Sequence, residues 1–411
     1  MKKERVVITG LGAVTPIGIG IEAFWNAAKD GSNGLRPITA FDTTVFRTNI
    51  GGEVQNFKPQ EFLTATEAES MGRSSHFAIA ATQMALKQSG IAISKENPFR
   101  VGVSFGTTMG EPQILEQCIE NIFTANKTLD TLDPKLPGQY PCGKIAAHVA
   151  RHCNACGPVI MIPTACAAGN YAIGYAFDML GLDMADIVIA GGSDPISKIA
   201  FTGFNRLLAT AKESCKPFDK NRDGMAVGEG AGAVVMETLT HAQKRGATII
   251  AEVLGYGIAC DAHNMTIPDP SGSGGILALN KAFSNANITP DTVDYISAHG
   301  TGTKENDKIE TFIIKSVFGE KAKSIPVSSI KSMIGHTMGA ASAIEAVACC
   351  LMIQHNTLLP TINYSEPDPD CDLDYVPNAS RCASVNRVVS NAYAFGGNTS
   401  ALILGRFGAT S

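Results

Sequence analysis

Ten short apolar, β-branched runs punctuate the chain: RVVITGLGAVT, FRVGVSFGTTMG, PVIMIPTAC, DIVIAGGSD, AGAVVMETL, TIIAEVLGYGI, VDYISAHGTGT, IPVSSIKSM, VVSNAYAFGG and SALILGRF. Longer alanine-rich segments separate them, and this alternation predicts α/β layers. The runs are apolar throughout and do not alternate with polar residues. The predicted strands are therefore buried on both faces, with helices covering the sheet. After PTACAAGN, apolar residues recur at Ile173, Ala176, Phe177 and Leu180, one stripe of a helix.

The order of elements repeats. VGVSFGTTMGE near residue 101 and DYISAHGTGTKE near 294 both read strand, Gly-Thr, polar helix start. VIMIPTACAAGNYAIGYAFDML and IPVSSIKSMIGHTMGAASAIEAVACCLMI both read strand, bend with Ser or Thr, small residues, long apolar helix. An offset of roughly 170 to 190 residues relates the copies, which predicts a duplicated α/β unit. The expected division is 1–247 and 248–411, near HAQKRGATII.

Composition narrows the function. A formal net charge of −5 gives no field to hold a nucleic acid. No apolar run reaches the roughly 18 to 20 residues of a membrane span, and MKKER leads into a strand pattern rather than a cleavable signal. The expectation is a cytoplasmic protein. Eleven irregularly spaced cysteines fit single thiols in a reduced compartment. One CxxC, Cys153 to Cys156, has no second pair near it, so no metal site is expected. Polar, Pro/Gly-rich loops fall at 128–143, 211–224 and 260–275, long enough to suggest functional segments.

Among the thiols, Cys166 stands where a predicted strand turns into a predicted helix. A helix N-terminus favours a thiolate, so the expected thiol pKa lies below its reference value. A backbone N–H there can also face a developing oxyanion. His299 (SAHGTGT) and His336 (KSMIGHTMG) occupy comparable bends beside glycine, and with the thiol they form a candidate constellation. Lys331 and Glu345 place opposite charges in apolar surroundings, where each needs the other. Ala394-Phe395-Gly396-Gly397 reads as a hinge carrying an aromatic plug.

Together these residues resemble the β-ketoacyl-acyl-carrier-protein synthases, the elongating condensing enzymes of fatty acid and polyketide synthesis. The segment Gly157 to Ile173 fits the family's active-site signature, and DKNRDGMAVGEGAG, AHGTGT, KSMIGH and FGGNTS occur in family order. The resemblance spans nearly the whole chain. It implies a thiolase-type fold, two sheets among three helical layers, and a Cys-His-His site. Cys166 would take the acyl group. His299 and His336 would promote decarboxylation of a malonyl thioester and hold the enolate, with Lys331 and Glu345 supporting His336 and Asp307 and Glu310 in the same network. The backbone of Cys166 and Phe395 would form the oxyanion hole, and Thr301 and Thr303 would bind the phosphopantetheine arm. Met109, with Gln139 and Tyr140 from a dimer partner, would line the acyl pocket.

The implied partners are an acyl carrier protein and a second subunit, a second copy or a chain-length-factor-like chain; no cofactor is implied beyond the carrier's phosphopantetheine. The chain also departs from the family. TATEAESMGRSS offers Glu67, Glu69 and Arg73 where relatives acting on fatty chains carry a basic helix, leaving Lys135, Arg206, Lys212 and Lys216 as a possible positive rim. Ala394 replaces a glycine, which should stiffen the hinge. Gln139 is less oily than the norm and suggests a polyenic or partly polar chain. Two other classes share the fold. A non-catalytic chain-length subunit typically lacks the thiol, and a thiolase needs a second cysteine near the C-terminal Gly-rich turn, here AFGGNTS. Condensing enzymes that start chains from coenzyme A carry asparagine where His336 stands.

Overall fold

The structure, a computed structural model, describes residues 4–124 and 128–409. The ten predicted runs become ten strands. In the N-terminal half the chain runs β1 (Val6–Thr15), α1 (Arg73–Ser89), β2 (Val101–Gly106), α2 (Gly143–Cys153), β3 (Val159–Ile162), α3 (Ala168–Gly181), β4 (Ile187–Asp194) and β5 (Gly230–Thr238). The C-terminal half repeats it: β6 (Ala251–Cys260), α4 (Ser273–Ala286), β7 (Tyr295–Ser297), α5 (Lys304–Phe318), β8 (Val327–Ser328), α6 (Ala341–His355), β9 (Arg387–Tyr393) and β10 (Asn398–Gly405).

Strand order is β3-β2-β4-β5-β1 in one half and β8-β7-β9-β10-β6 in the other, the same permutation twice. Directions repeat too: β2 is parallel to β3 and β4, β7 to β8 and β9, and the remaining pairs within each half are antiparallel. The halves join where β1 pairs antiparallel with β6, from Val6 opposite Val253 to Ile8 opposite Ala251. Helices α1 and α2 cover the outer face of the first half through Phe77, Ile79, Ile145 and Val149. Helices α4 and α5 cover the second through Leu279, Phe283, Ile309 and Ile313. Between the sheets lie α3 and α6, giving the five-layer sandwich of a duplicated thiolase-type fold.

That middle layer is dry. Every residue of α6 from Ala341 to Ile353 is buried, so the helix is apolar all round and Glu345 is its sole charge. The stretch Met338–His355 has the length and hydropathy of a membrane span, which the sequence reading did not anticipate, yet 89% of it is buried between the sheets. Close approach of α3 to α6 needs Gly169: a Cβ there would lie 2.4 Å from the Ala343 backbone nitrogen. The second half's shorter strands have a local cause. IPVSSIKSM supplies only Val327–Ser328, because the chain then turns into a short helix, Lys331–Ile334.

Candidate active site

The C-terminal ends of β2, β3 and β4, and of β7, β8 and β9, carry the site, the crevice that parallel strands leave open in α/β sheets. Cys166 lies beyond β3 in the turn Ala165–Ala167 that opens α3, where Ala165 is held at φ 52, a left-handed conformation rare for a side-chain-bearing residue. His299 follows β7. His336 follows β8 and precedes α6, the position in the second half that Cys166 holds in the first. Cys166, His299 and His336 line one cavity of about 470 Å³, with Thr301, Thr303, Tyr393, Ala394, Phe395 and Gly397.

The two imidazole rings stand 5.3 Å apart at 82°. Both are buried, and burial together with the Lys331 charge holds each pKa well below the usual value, so both are neutral. The Met338 N–H donates to His336 Nδ1 at 3.2 Å, which leaves the ring proton on Nε2. Lys331 Nζ stands 3.4 Å from His299 Nδ1 and fixes the same tautomer there. Each ring thus has Nε2–H to offer.

Lys331 corrects the sequence expectation. Its ammonium donates to Glu345 Oε1 at 2.5 Å and to the His299 carbonyl at 2.7 Å, so the pair braces His299, not His336. The reason is topological: Lys331, just beyond β8, faces the adjacent end of β7. Glu345 is pushed up to about 7 by burial, against the pull of Lys331. Asp307 and Glu310, on α5, grip the His299 loop by its backbone. Glu310 accepts the N–H groups of His299 (2.8 Å) and Gly300 (2.7 Å), and Asp307 those of Thr301 (3.1 Å), Gly302 (3.2 Å) and Phe218 (2.7 Å).

The thiol also differs from expectation. Burial pushes Cys166 up to about 12, outweighing the pull of Lys331 and of the two backbone N–H groups, of Cys166 and Phe395, that reach it. The helix end does not deliver a resting thiolate, because the sulfur lies in a nearly dry site and losing its proton there costs more than the helix end returns. Those N–H groups are where an oxyanion formed at a Cys166 thioester would sit. Phe395 is 36% exposed and tilts onto Phe204, ring centres 5.6 Å apart. Gly396 and Gly397 hold φ 84 and 81, which glycine adopts without strain, while Ala394 is extended (φ −133). The Gly396 N–H donates to the Met265 carbonyl at 2.8 Å, tying this turn to the 260–275 loop.

Met109 does not line this cavity. Gln139 and Tyr140, expected to reach the pocket of a partner subunit, lie at the surface of this chain, where the Gln139 amide reaches the Glu69 carbonyl at 3.4 Å and Tyr140 is exposed. Arg73 is engaged by buried Glu229 at 2.6 Å and stacks over Phe77, so it is spoken for. Arg206 and Lys212 are exposed beside cavity-lining Leu208 and Ala209, Lys216 is half-buried, and Lys135 is exposed but not on the cavity. Cys153 is buried and Cys156 exposed, and among the described residues no group of three or more His, Cys, Asp or Glu gathers as metal ligands. Sequence reasoning missed Arg47, 3.6 Å from Asp223 at the cavity, and Lys304 beside them. It also missed Asp194, whose signal was a carboxylate ending a buried, largely apolar strand.

A repeated sandwich with a cysteine and two neutral histidines on one cavity defines a thiolase-fold protein built for thioester chemistry. The Beta-ketoacyl synthase N-terminal domain matches residues 3–242 and its C-terminal domain residues 250–365. The chain belongs to the β-ketoacyl synthase family. It is 39% identical to a 3-oxoacyl-[acyl-carrier-protein] synthase 2 of Synechocystis sp., over 99% of both chains. Among solved structures, the ishigamide ketosynthase/chain length factor is 40% identical, with TM-score 0.95 over 99% of this chain and 100% of that one. A ketosynthase bound to the hexaketide, in complex with its type II polyketide acyl-carrier protein, is 34% identical, with TM-score 0.91 over 98% and 99%.

Proposed function

We propose that the chain is a condensing enzyme of fatty acid or polyketide elongation, joining an enzyme-bound acyl group to a malonyl unit with loss of CO₂. The observation that carries this is the shared cavity: a thiol under two backbone N–H groups, faced by two neutral imidazoles. Cys166 attacks the acyl thioester. The new C–S bond forms as the carrier's C–S bond breaks, and the thiol proton passes to the leaving sulfur. The N–H groups of Cys166 and Phe395 hold the tetrahedral oxyanion. Malonyl thioester then loses CO₂, and Nε2–H of His299 and His336 stabilise the enolate oxygen. The enolate carbon attacks the Cys166 thioester, expelling the sulfur, which takes up one proton.

The substrates would arrive on the phosphopantetheine arm of an acyl carrier protein, past Thr301 and Thr303, in the cytoplasm; this chemistry draws on no resident cofactor. Support for the carrier comes from the relative solved with its acyl-carrier protein. Strand β3 is an open sheet edge with Val159 44% exposed, the place where a second subunit, a copy or a chain-length factor, would add. A thiolase reading is disfavoured: Cys260, the thiol beside the Gly-rich turn at 3.6 Å from the Gly396 carbonyl, is exposed and does not line the cavity.

The test is intact-mass analysis after incubation with acyl-carrier proteins of several chain lengths, then malonyl-carrier protein. The expected result is an acyl adduct absent from Cys166→Ala, discharged as a β-ketoacyl product. An adduct that persists in that variant, or no product from any carrier, refutes the reading.

A further inference from the structure

Asp194 ends β4 and is 1% exposed. Every hydrogen bond it makes is one it accepts. Oδ1 takes the Thr107 hydroxyl (2.7 Å) and the Met109 N–H (3.2 Å); Oδ2 takes the N–H groups of Thr108 (2.7 Å) and Gly339 (2.7 Å). The first three donors belong to the loop after β2, and the fourth to the turn Met338–Ala340. The carboxylate therefore clasps the two halves of the molecule together at the site. The fit leaves no slack: a Cβ on Gly339 would lie 2.5 Å from the Thr107 carbonyl carbon and 2.6 Å from its Cα.

That turn controls a catalytic ring. Met338 is held at φ 56, a left-handed conformation disfavoured for a side-chain-bearing residue, and in that pose its N–H reaches His336 Nδ1. On the other side His336 is pinned through its backbone, its N–H donating to the Ala226 carbonyl at 2.6 Å and its carbonyl accepting the Gly228 N–H at 2.9 Å. The backbone of His336 is thus fixed by the 226–228 segment, whereas the side chain's tautomer depends on Met338, whose neighbour Gly339 is held by Asp194.

We propose that Asp194 is a positioning residue for the reaction: by clasping Gly339 to the loop after β2 it holds the strained Met338 N–H on His336 Nδ1, so that His336 keeps its proton on Nε2 for the enolate. The inference rests on the condensing-enzyme reading for what His336 then does, but not for the clasp itself. It also makes the two half-reactions separable. The negative charge of Asp194 raises the Cys166 thiol, so neutralising it takes nothing from the nucleophile. Loss of the clasp strikes decarboxylation and leaves acylation standing.

The experiment compares Asp194→Asn with wild type in three readouts: acylation of Cys166 by an acyl-carrier protein, CO₂ release from malonyl-carrier protein, and nitrogen NMR of isotope-labelled histidines, with His336 assigned by its absence in His336→Asn. An amide cannot accept four donors. The expected result is acylation within about twofold of wild type, decarboxylation lower by about tenfold or more, and loss of the Nδ1-acceptor signal of His336. Thr107→Val, which removes one donor and keeps the side-chain shape, should show the same split more weakly. Equal losses in both half-reactions with the histidine signal unchanged would overturn the proposal and make Asp194 a fold residue only. Absence of CO₂ release in wild type would refute the condensing-enzyme reading instead, and the NMR comparison would still decide the clasp.

Discussion

Exchanging Lys331 for methionine separates what the buried pair does for the fold from what it does for the reaction. The ammonium donates to Glu345 Oε1 (2.5 Å) and the His299 carbonyl (2.7 Å) and stands 3.4 Å from His299 Nδ1. Lys331 and Glu345 are each 1% exposed, so water cannot take over when one partner goes. Breaking such a pair from either side costs about 3–5 kcal/mol, because the remaining group stays desolvated and unpaired. Replacing both by methionine removes both desolvation penalties, and the double variant should lie within about 1–2 kcal/mol of wild type. Activity should not recover with it. Without the ammonium, His299 is free to change tautomer, and decarboxylation should fall by about 100-fold or more in Lys331→Met and in the double variant alike. Guanidinium denaturation at one fixed protein concentration, with CO₂ release from malonyl-carrier protein, reads both quantities. The reasoning fails if the single exchange costs less than about 1 kcal/mol, if the double variant costs the sum of the singles, or if it decarboxylates like wild type.

Further outcomes follow from the same geometry. With the Cys166 thiol pushed up to about 12, iodoacetamide alkylation of Cys166, followed by peptide mapping, should speed up about tenfold per pH unit from 7 to 10; a plateau below pH 9 would mean a thiolate is already present. Arg73→Ala should cost about 1.5–3 kcal/mol by leaving buried Glu229 without its guanidinium, while KM for the carrier protein stays unchanged; a raised KM at unaltered stability would make Arg73 a docking residue. The His336 pKa is depressed by burial and by Lys331, so between its folded value and the unfolded value near 6.5 the unfolded chain binds the extra proton. The stability this neutral ring contributes is full above about 6.5 and lost as pH falls below it. Wild type should therefore lose its stability advantage over His336→Asn on going from pH 7 to pH 5 in denaturation curves, and an advantage that grows would show a charged ring.

Most of the ten strands were legible because they are buried on both faces, which writes a continuous apolar run into the sequence; the edge strand β3 is apolar though partly exposed, and β7 and β8 are as short as two or three residues, yet their flanks carry the same signal. The thiol and the two histidines were legible through the repeat, since like positions in like units converge on like places. Partnership was not. Lys331 sits five residues before His336 in the chain but bonds to His299, because strand order, invisible in a linear reading, puts β8 beside β7. The thiol's acidity was misjudged for a related reason: a helix end announces itself in small residues, whereas desolvation depends on everything packed over the sulfur. Asp194 left one trace, a charge at the end of an apolar strand, and its partners lie 85 to 145 residues away.

Duplication explains why this site needs both halves. The same permutation of strands brings the carboxyl ends of β2, β3 and β4 up to those of β7, β8 and β9 across the layer of α3 and α6. One half supplies Cys166 at a strained elbow, which on its own would be a buried, protonated thiol. The other supplies two neutral imidazoles and the Phe395 N–H that reaches the Cys166 sulfur. The groups that hold these parts in register are charges buried at the seam: Lys331 and Glu345 within the second half, Asp194 reaching from the first half into the second. Buried charges are poor investments for stability alone. Their placement near the cavity that Cys166 shares with His299 and His336 is what a positional role requires and what a purely stabilising role does not.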